Sequence, residues 1–351
     1  MFNYHNPIVQ DDIKAMAVPT LPWDKFQYKT ILVTGATGML ATYIIYLLIY
    51  LRKEKGISLQ ILALCRNKQK ANDIFHPFQA EAWFQILNQD VCDTISYNGN
   101  IDYIFHLAGN ASPYFINNDP VGIIKSNLLG TLNILELALE KKSQKVLFTS
   151  TREIYGKNES MSFLKECDYG IVNPIENRAC YPESKRAAET LIRSYYLQFH
   201  LSSSIVRIAH SYGPGMKLAN DGRVMADLLS DAIEGKNIVL KSTGTAERAF
   251  CYISDAVLAS FYVLFLGENA QPYNVANETE PISIKDLASL ILNINANNKL
   301  QIVYDIPSIT STAYCNYKRS GLDTTAIEKL GWMPQITLKE GITKTINSFK
   351  L

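Results

Sequence analysis

Tyr181 and Lys185 stand four residues apart in the run Tyr-Pro-Glu-Ser-Lys. On a helix that interval places both side chains on one face, and Pro182 suits a first helical turn. An ammonium beside a phenol favours the phenolate, so Tyr181 is expected to ionise below the usual ~10. Such a tyrosine works as a base toward a hydroxyl, or as an acid toward a carbonyl, near neutral pH. The spacing recurs at Tyr314 and Lys318, in a loop-like stretch near the C-terminus. The first copy is preferred because it opens a long amphipathic segment, precedes the apolar run SSIVRIA and follows Ser150-Thr151. Thr151 ends an apolar run, where its hydroxyl can bond a reacting substrate oxygen. Strand alternation would put Thr151 and Glu153 on one side and Arg152 on the other. Glu153 is therefore expected beside Tyr181, positioning substrate or moving a second proton.

Small residues recur as GxxGxxA in Val33-Thr-Gly-Ala-Thr-Gly-Met-Leu-Ala41. Gly35 and Gly38 allow a backbone turn to approach a pyrophosphate closely. The helix opening at Met39 and Leu40 would present free N–H groups to that anion, with Thr37 in the turn. These five residues are expected to hold a nicotinamide dinucleotide. The following strand ends at Cys65-Arg66-Asn67-Lys68, where an acidic ribose ligand is usual for NAD. Arg66 suits the 2′-phosphate of NADP instead, so the choice between NAD and NADP leans to NADP. Asp90 in the turn QDVCD is a candidate contact for the adenine edge. Val91 beside it, and Leu107 and Ala108 in HLAGNAS, complete the expected cofactor contacts, with Lys185 holding the ribose.

These residues need a scaffold that collects strand ends. The runs KTILVTG, SLQILALC, IDYIFHLA, KVLFTS and SSIVRIA alternate with helical segments, notably 120–141 and 182–200. Short apolar strands between helices imply right-handed βαβ units and a parallel sheet covered on both faces. The expectation is an α/β fold, a doubly wound Rossmann sheet with a smaller C-terminal α/β lobe for substrate. Residues 1–28 read as an irregular arm and 29–210 as the dinucleotide-binding domain, with a return near 238–262. Residues 211–237 and 263–351 form the second lobe, with helices near 223–235 and 283–294. A net charge of +1 gives no reason to expect nucleic acid as a partner. The six cysteines are scattered without a metal-like cluster, which suits reduced thiols in the cytoplasm and no bound metal. The run Met39–Leu51 is almost wholly apolar, but it is shorter than the ~20 residues of a membrane span. It reads as a helix buried on a sheet, with no membrane insertion and no signal peptide.

GxxGxxA, HLAGNAS, a Thr-x-Glu after a strand and YxxxK, in this order, resemble the extended short-chain dehydrogenases/reductases over residues 29–350. More narrowly, NLLGTLNILELA, STREIYG, VNPIENRACYPESKRAAET, NDGRV, RAFCYISD and LDTTAIEKLGWMP resemble the UDP-glucuronate decarboxylases. The resemblance implies chemical roles for Glu153 and Arg248, and a diphosphate contact for Arg223. Arg178, within the same run as Tyr181, joins the implied substrate contacts. The implied cycle oxidises a nucleotide-linked sugar at C4, releases CO2 from the β-keto acid and reduces the ketone again. A homodimer, paired through the two long helices, is also implied. The chain departs from the family pattern at Arg152 for a serine, His210 for an asparagine and Arg66 for the acidic ribose ligand. Arg152 and His210 are thus further candidate substrate contacts. The alternative is an NADPH-dependent reductase of a nucleotide-linked keto-sugar for surface polysaccharide, or a 4-epimerase or 4,6-dehydratase.

Overall fold

Seven parallel strands form the central sheet of the computed structural model, which describes residues 2–158, 161–219, 221–295, 299–306 and 319–350. They are β1 (Lys29–Thr34), β2 (Leu59–Cys65), β3 (Phe84–Asn88), β4 (Tyr103–His106), β5 (Lys145–Thr151), β6 (Ser203–Ile208) and β7 (Pro272–Val275). The strand order is β7-β6-β5-β4-β1-β2-β3, so the winding reverses between β1 and β4. Ligands of such sheets gather in the crevice at the carboxyl ends beside that reversal. The main strands are almost wholly buried on both faces, as apolar runs without alternation require. This is the doubly wound Rossmann architecture expected from the strand–helix rhythm.

The apolar run after the glycine turn forms α2 (Met39–Glu54), buried from Ala41 to Ile49 against the sheet. The two long helices are α3 (Pro120–Glu140) and α4 (Cys180–Phe199), which pack on each other. By length and composition α3 could cross a bilayer, yet nearly half of its apolar window is buried within the protein. The return to the main sheet runs later than the expected 238–262. It is made by α5 (Ile253–Leu266) and then β7, whose short PYNV sequence gives little strand signal. Helices Val224–Ile233 and Ile284–Asn295 lie outside the sheet with short strand pairs around them.

The first 28 residues are not irregular. Pro7–Met16 is a helix, α1, capped by the Asn6 side chain, which accepts from the amides of Ile8 and Val9. Its buried face is Val9, Asp12, Ile13 and Met16, a helical spacing that three prolines disguise in the sequence.

Candidate active site

The turn after β1 is tight because of what lies across it. Gly35 has φ +64°, and a Cβ there would sit 3.0 Å from Ala108 Cα and 3.1 Å from Leu107 O. Gly38 caps α2, and its N–H bonds Gly35 O at 2.8 Å. Thr34, at the end of β1, ties this turn to the end of β4. Its Oγ1 accepts from Leu107 N at 3.1 Å and Ala108 N at 3.0 Å. With both lone pairs used, its own proton goes to His106 Nδ1, 2.8 Å away. His106 is then the neutral tautomer protonated on Nε2, which donates to Thr131 Oγ1 at 3.2 Å. Burial, with the Lys185 ammonium nearby, pushes its pKa down to about 3. The chain continues from Thr131 to Asn127 O, and Asn127 Nδ2 donates to Ser184 Oγ. The glycine turn and the helix bearing Tyr181 are thereby joined through buried polar groups.

Tyr181 and Lys185 occupy the first turns of α4, each 5% exposed. Lys185 Nζ donates to Thr149 O at 2.8 Å and lies 4.4 Å from the centre of the Phe148 ring. Burial lowers its pKa to about 7, against the pull of Glu189 one turn along. Tyr181 departs from expectation: its pKa is raised. Burial is the main cause and the Glu153 carboxylate adds to it. The hydrogen bond with Thr151 and the Arg178 and Arg223 guanidiniums oppose that rise. The lowering groups come from the strand end and the arginines, while the lysine ammonium is engaged with Thr149.

Thr151 is buried at the end of β5, but Arg152–Tyr155 is a 3-10 turn, so strand alternation does not continue. Thr151 Oγ1 accepts from Glu153 N at 3.2 Å and holds that turn. Glu153 is paired with Arg178, whose Nε lies 3.1 Å from Oε2. Arg152 points away to Ser320 O at 3.0 Å. There it lines a small cavity with His210, Arg248, Glu278 and Arg319. Arg319 is ion-paired to Glu278. His210 adopts φ +44°, and its Nε2 is buried without a hydrogen-bond partner among the described residues. Burial and then Arg152, Arg248, Arg319 and Arg178 press its pKa far down, so the imidazole is neutral within a cationic wall. Arg223 is held by buried Asp221, Nε to Oδ1 at 2.5 Å.

Tyr181, Thr151, Glu153, Arg178 and Arg223 are thus brought together, with Arg152, His210 and Arg248 on an adjoining wall. Arg66 lies apart at the β2 end, 63% exposed and 3.7 Å from Asp90. Asp90 also accepts from Cys92 N. Val91 is buried, its carbonyl bonded to Asn133 and its side chain against the place where a Gly130 Cβ would sit. Met39 and Leu40 are half-buried at the start of α2 beside Thr37. The second YxxxK, Tyr314 to Lys318, lies outside the described residues. Sequence reading missed Asn127, Ser184 and Arg319. The only signal was their place inside runs already singled out for other residues, or, for Arg319, just ahead of one.

The residues fit a bound dinucleotide. A Cβ at Gly35 would fill the cradle, and at Gly109 (φ +148°) it would lie 2.7 Å from Asn127 Oδ1 and 3.6 Å from Lys185 Nζ. The first turn of α2, whose amides can bind an anion, opens directly from this glycine turn. A doubly wound sheet with this turn at its reversal, and a buried tyrosine and lysine at the start of α4, defines an enzyme of the short-chain dehydrogenase class. The chain belongs to the NAD dependent epimerase/dehydratase family, whose model matches residues 31–276. UDP-glucuronic acid decarboxylase 5 of Arabidopsis thaliana is 33% identical over 322 residues, 92% of this chain and 89% of that protein. Among solved structures, UDP-glucose 4-epimerase of Thermotoga maritima, with UDP-glucose, has TM-score 0.77 at 23% identity, covering 92% of this chain and 98% of that one. UDP-glucuronic acid 4-epimerase of Bacillus cereus, in complex with NAD, has TM-score 0.73 at 21% identity, covering 92% and 96%.

Proposed function

We propose that the protein modifies a nucleotide-linked sugar by transient oxidation at C4, and that its reaction is decarboxylation of a UDP-linked uronic acid. The observation that carries this reading is the site's charge arrangement. Tyr181, bonded to Thr151, sits beside the Glu153–Arg178 pair and next to a wall of Arg152, Arg248 and Arg319 around neutral His210. A substrate with a diphosphate and a sugar carboxylate offers several anionic groups to such a wall. The similarity to UDP-glucuronic acid decarboxylases over nearly the whole chain supports the same substrate class.

A nicotinamide dinucleotide held by the Gly35–Gly38 turn and Lys185 would supply the hydride acceptor and donor for C4. Tyr181 accepts the C4 hydroxyl proton while Thr151 orients that oxygen. Loss of CO2 from the β-keto acid leaves an enolate that takes a proton at C5 from water, and Tyr181 then returns its own proton to O4 as the ketone is reduced. Glu153, fixed by Arg178, positions the sugar ring. Lys185 holds the ribose from the Thr149 side, Arg223 takes the diphosphate from the second lobe, residues 211–237 and 263–351, and Arg248, in the stretch 238–262, contacts the substrate beside His210. Arg66 supports NADP over NAD, since its exposed guanidinium stands where an acidic ribose ligand is usual. We place the enzyme in the reducing cytoplasm, consistent with the free Cys65, Cys92, Cys167, Cys180 and Cys251.

A homodimer through α3 and α4 is supported by exposed Val121, Ile124 and Leu129 on one helix and Leu197 and Phe199 on the other. Light scattering that gives a monomer at micromolar concentration would contradict it. The reaction is tested by incubating the enzyme with UDP-glucuronate without added dinucleotide and following the sugar by NMR. A UDP-pentose with matching CO2 is the expected product. Unchanged substrate, or a C4 epimer alone, sinks the decarboxylase reading.

A further inference from the structure

The N-terminal arm lies ahead of the residues matched by the family model, yet one of its carboxylates is buried between three distant elements. Asp12 has a fully buried side chain in the middle of α1. Its Oδ2 accepts from Tyr43 Oη at 3.0 Å and Tyr252 Oη at 2.7 Å. Its Oδ1 accepts from Lys344 Nζ at 2.8 Å. Tyr43 belongs to α2, which opens at the glycine turn. Tyr252 ends the strand Cys251–Tyr252, four residues after Arg248. Lys344 belongs to the C-terminal helix α6 (Leu338–Lys350) and also lies over the Tyr252 ring.

A second contact of the arm reaches the same region. Cys251–Tyr252 pairs with Ser211–Tyr212, immediately after His210. The chain then turns through Gly213-Pro214-Gly215. At Gly215 (φ +82°) a Cβ would lie 2.7 Å from the Phe2 ring, so this glycine gives the arm room to pack. Phe2 in turn stacks on Tyr43, 5.9 Å between centroids. Strands of two residues have few hydrogen bonds of their own, and their register depends on what packs over them. The glycine turn, by contrast, is tied independently through Thr34 to Leu107 and Ala108.

We infer that Asp12 and Phe2 are positioning residues: the arm braces the short strand pair that continues from His210 and closely follows Arg248, and so sets both side chains in the substrate wall. This rests on the reading that this wall binds the nucleotide sugar. The brace itself has a readout independent of that reading.

The test compares wild type with Asp12→Asn, Lys344→Met and Lys344→Arg in the full chain. Amide hydrogen exchange is followed at 208–216 and 247–252 against 29–38. Binding of UDP and of NAD is measured by calorimetry. In Asp12→Asn and Lys344→Met, exchange should quicken at the first two segments and not at the third. UDP affinity should fall about fivefold or more while NAD affinity holds within about twofold. Lys344→Arg should restore both. If Asp12→Asn does not fold, Phe2→Ala, at the edge of the arm, provides the same comparison. Unchanged exchange at 208–216 and 247–252, or equal quickening at all three segments, would overturn the brace. Quickened exchange there with wild type failing to bind UDP would instead refute the substrate reading and leave the brace standing.

Discussion

Replacing Lys185 by methionine should stabilise the cofactor-free protein below pH 7 while abolishing turnover. Lys185 is 5% exposed, and burial lowers its pKa from 10.5 to about 7. The unfolded chain therefore binds more protons than the folded one between those values, so wild-type stability rises with pH across that window. Below pH 7 both states carry the charge, and the folded state bears the full cost of burying it. At about 1.4 kcal/mol per pKa unit the interval corresponds to roughly 5 kcal/mol. Relaxation at an effective dielectric of about 20 reduces this to about 2 kcal/mol. Thr149 O and the Phe148 ring hold the ammonium, and no carboxylate among the described residues is in hydrogen-bonding contact with it. Methionine has similar volume and no charge. Urea unfolding of cofactor-free wild type and Lys185→Met, followed by circular dichroism from pH 6.5 to 10.5, measures the difference. Lys185→Met should be the more stable by about 2 kcal/mol at pH 6.5, with the gap closing as pH approaches 10.5. A gap independent of pH, or a more stable wild type at pH 6.5, refutes the argument that the lysine is held at a cost to folding.

Three further outcomes follow from the same geometry. Tyr181→Phe should lower kcat by about 10²–10⁴-fold with UDP affinity held, because only the proton-carrying oxygen is lost; single-turnover kinetics with binding by calorimetry would show otherwise. Gly35→Ala should destabilise by roughly 2–3 kcal/mol, since φ is +64° and the new methyl meets Ala108 Cα at 3.0 Å. An unchanged urea midpoint contradicts that. Arg66→Asp should weaken NADP binding by about tenfold or more while leaving NAD at least as tight. If NADP affinity does not move in a fluorescence titration, Arg66 does not read a 2′-phosphate.

What was legible in the sequence was whatever depends on local pattern. The apolar runs at 29–34, 59–65 and 145–151 could only be buried parallel strands, and the glycine turn between a strand and an apolar helix set the cofactor side. Tyr181 and Lys185 share a helix face because their spacing demands it. What depended on long-range packing was not legible. Strand Pro272–Val275 joins the sheet through pairing with β6, not through its own four residues. Asp12 looks like one of two adjacent surface acids until Tyr43, Tyr252 and Lys344 converge on it from 31 to 332 residues away. The raised pKa of Tyr181 reflects the same limit. The lysine at i+4 was visible, but it bonds Thr149 instead, and burial by other elements, with the Glu153 carboxylate, raises the phenol. Arg152 and Glu153 face different ways as expected, but a 3-10 turn capped by Thr151, and not strand alternation, sets their directions.

Transient oxidation at C4 within one closed cycle can be followed by deuterium at that carbon. UDP-glucuronate labelled with deuterium at C4 would be turned over in water without added reductant, and the product examined by NMR. The expected product is a UDP-pentose that retains deuterium at C4, formed more slowly than from unlabelled substrate. Product bearing only protium at C4, or labelled substrate left intact while a keto-sugar nucleotide is consumed with added NADPH, would contradict it.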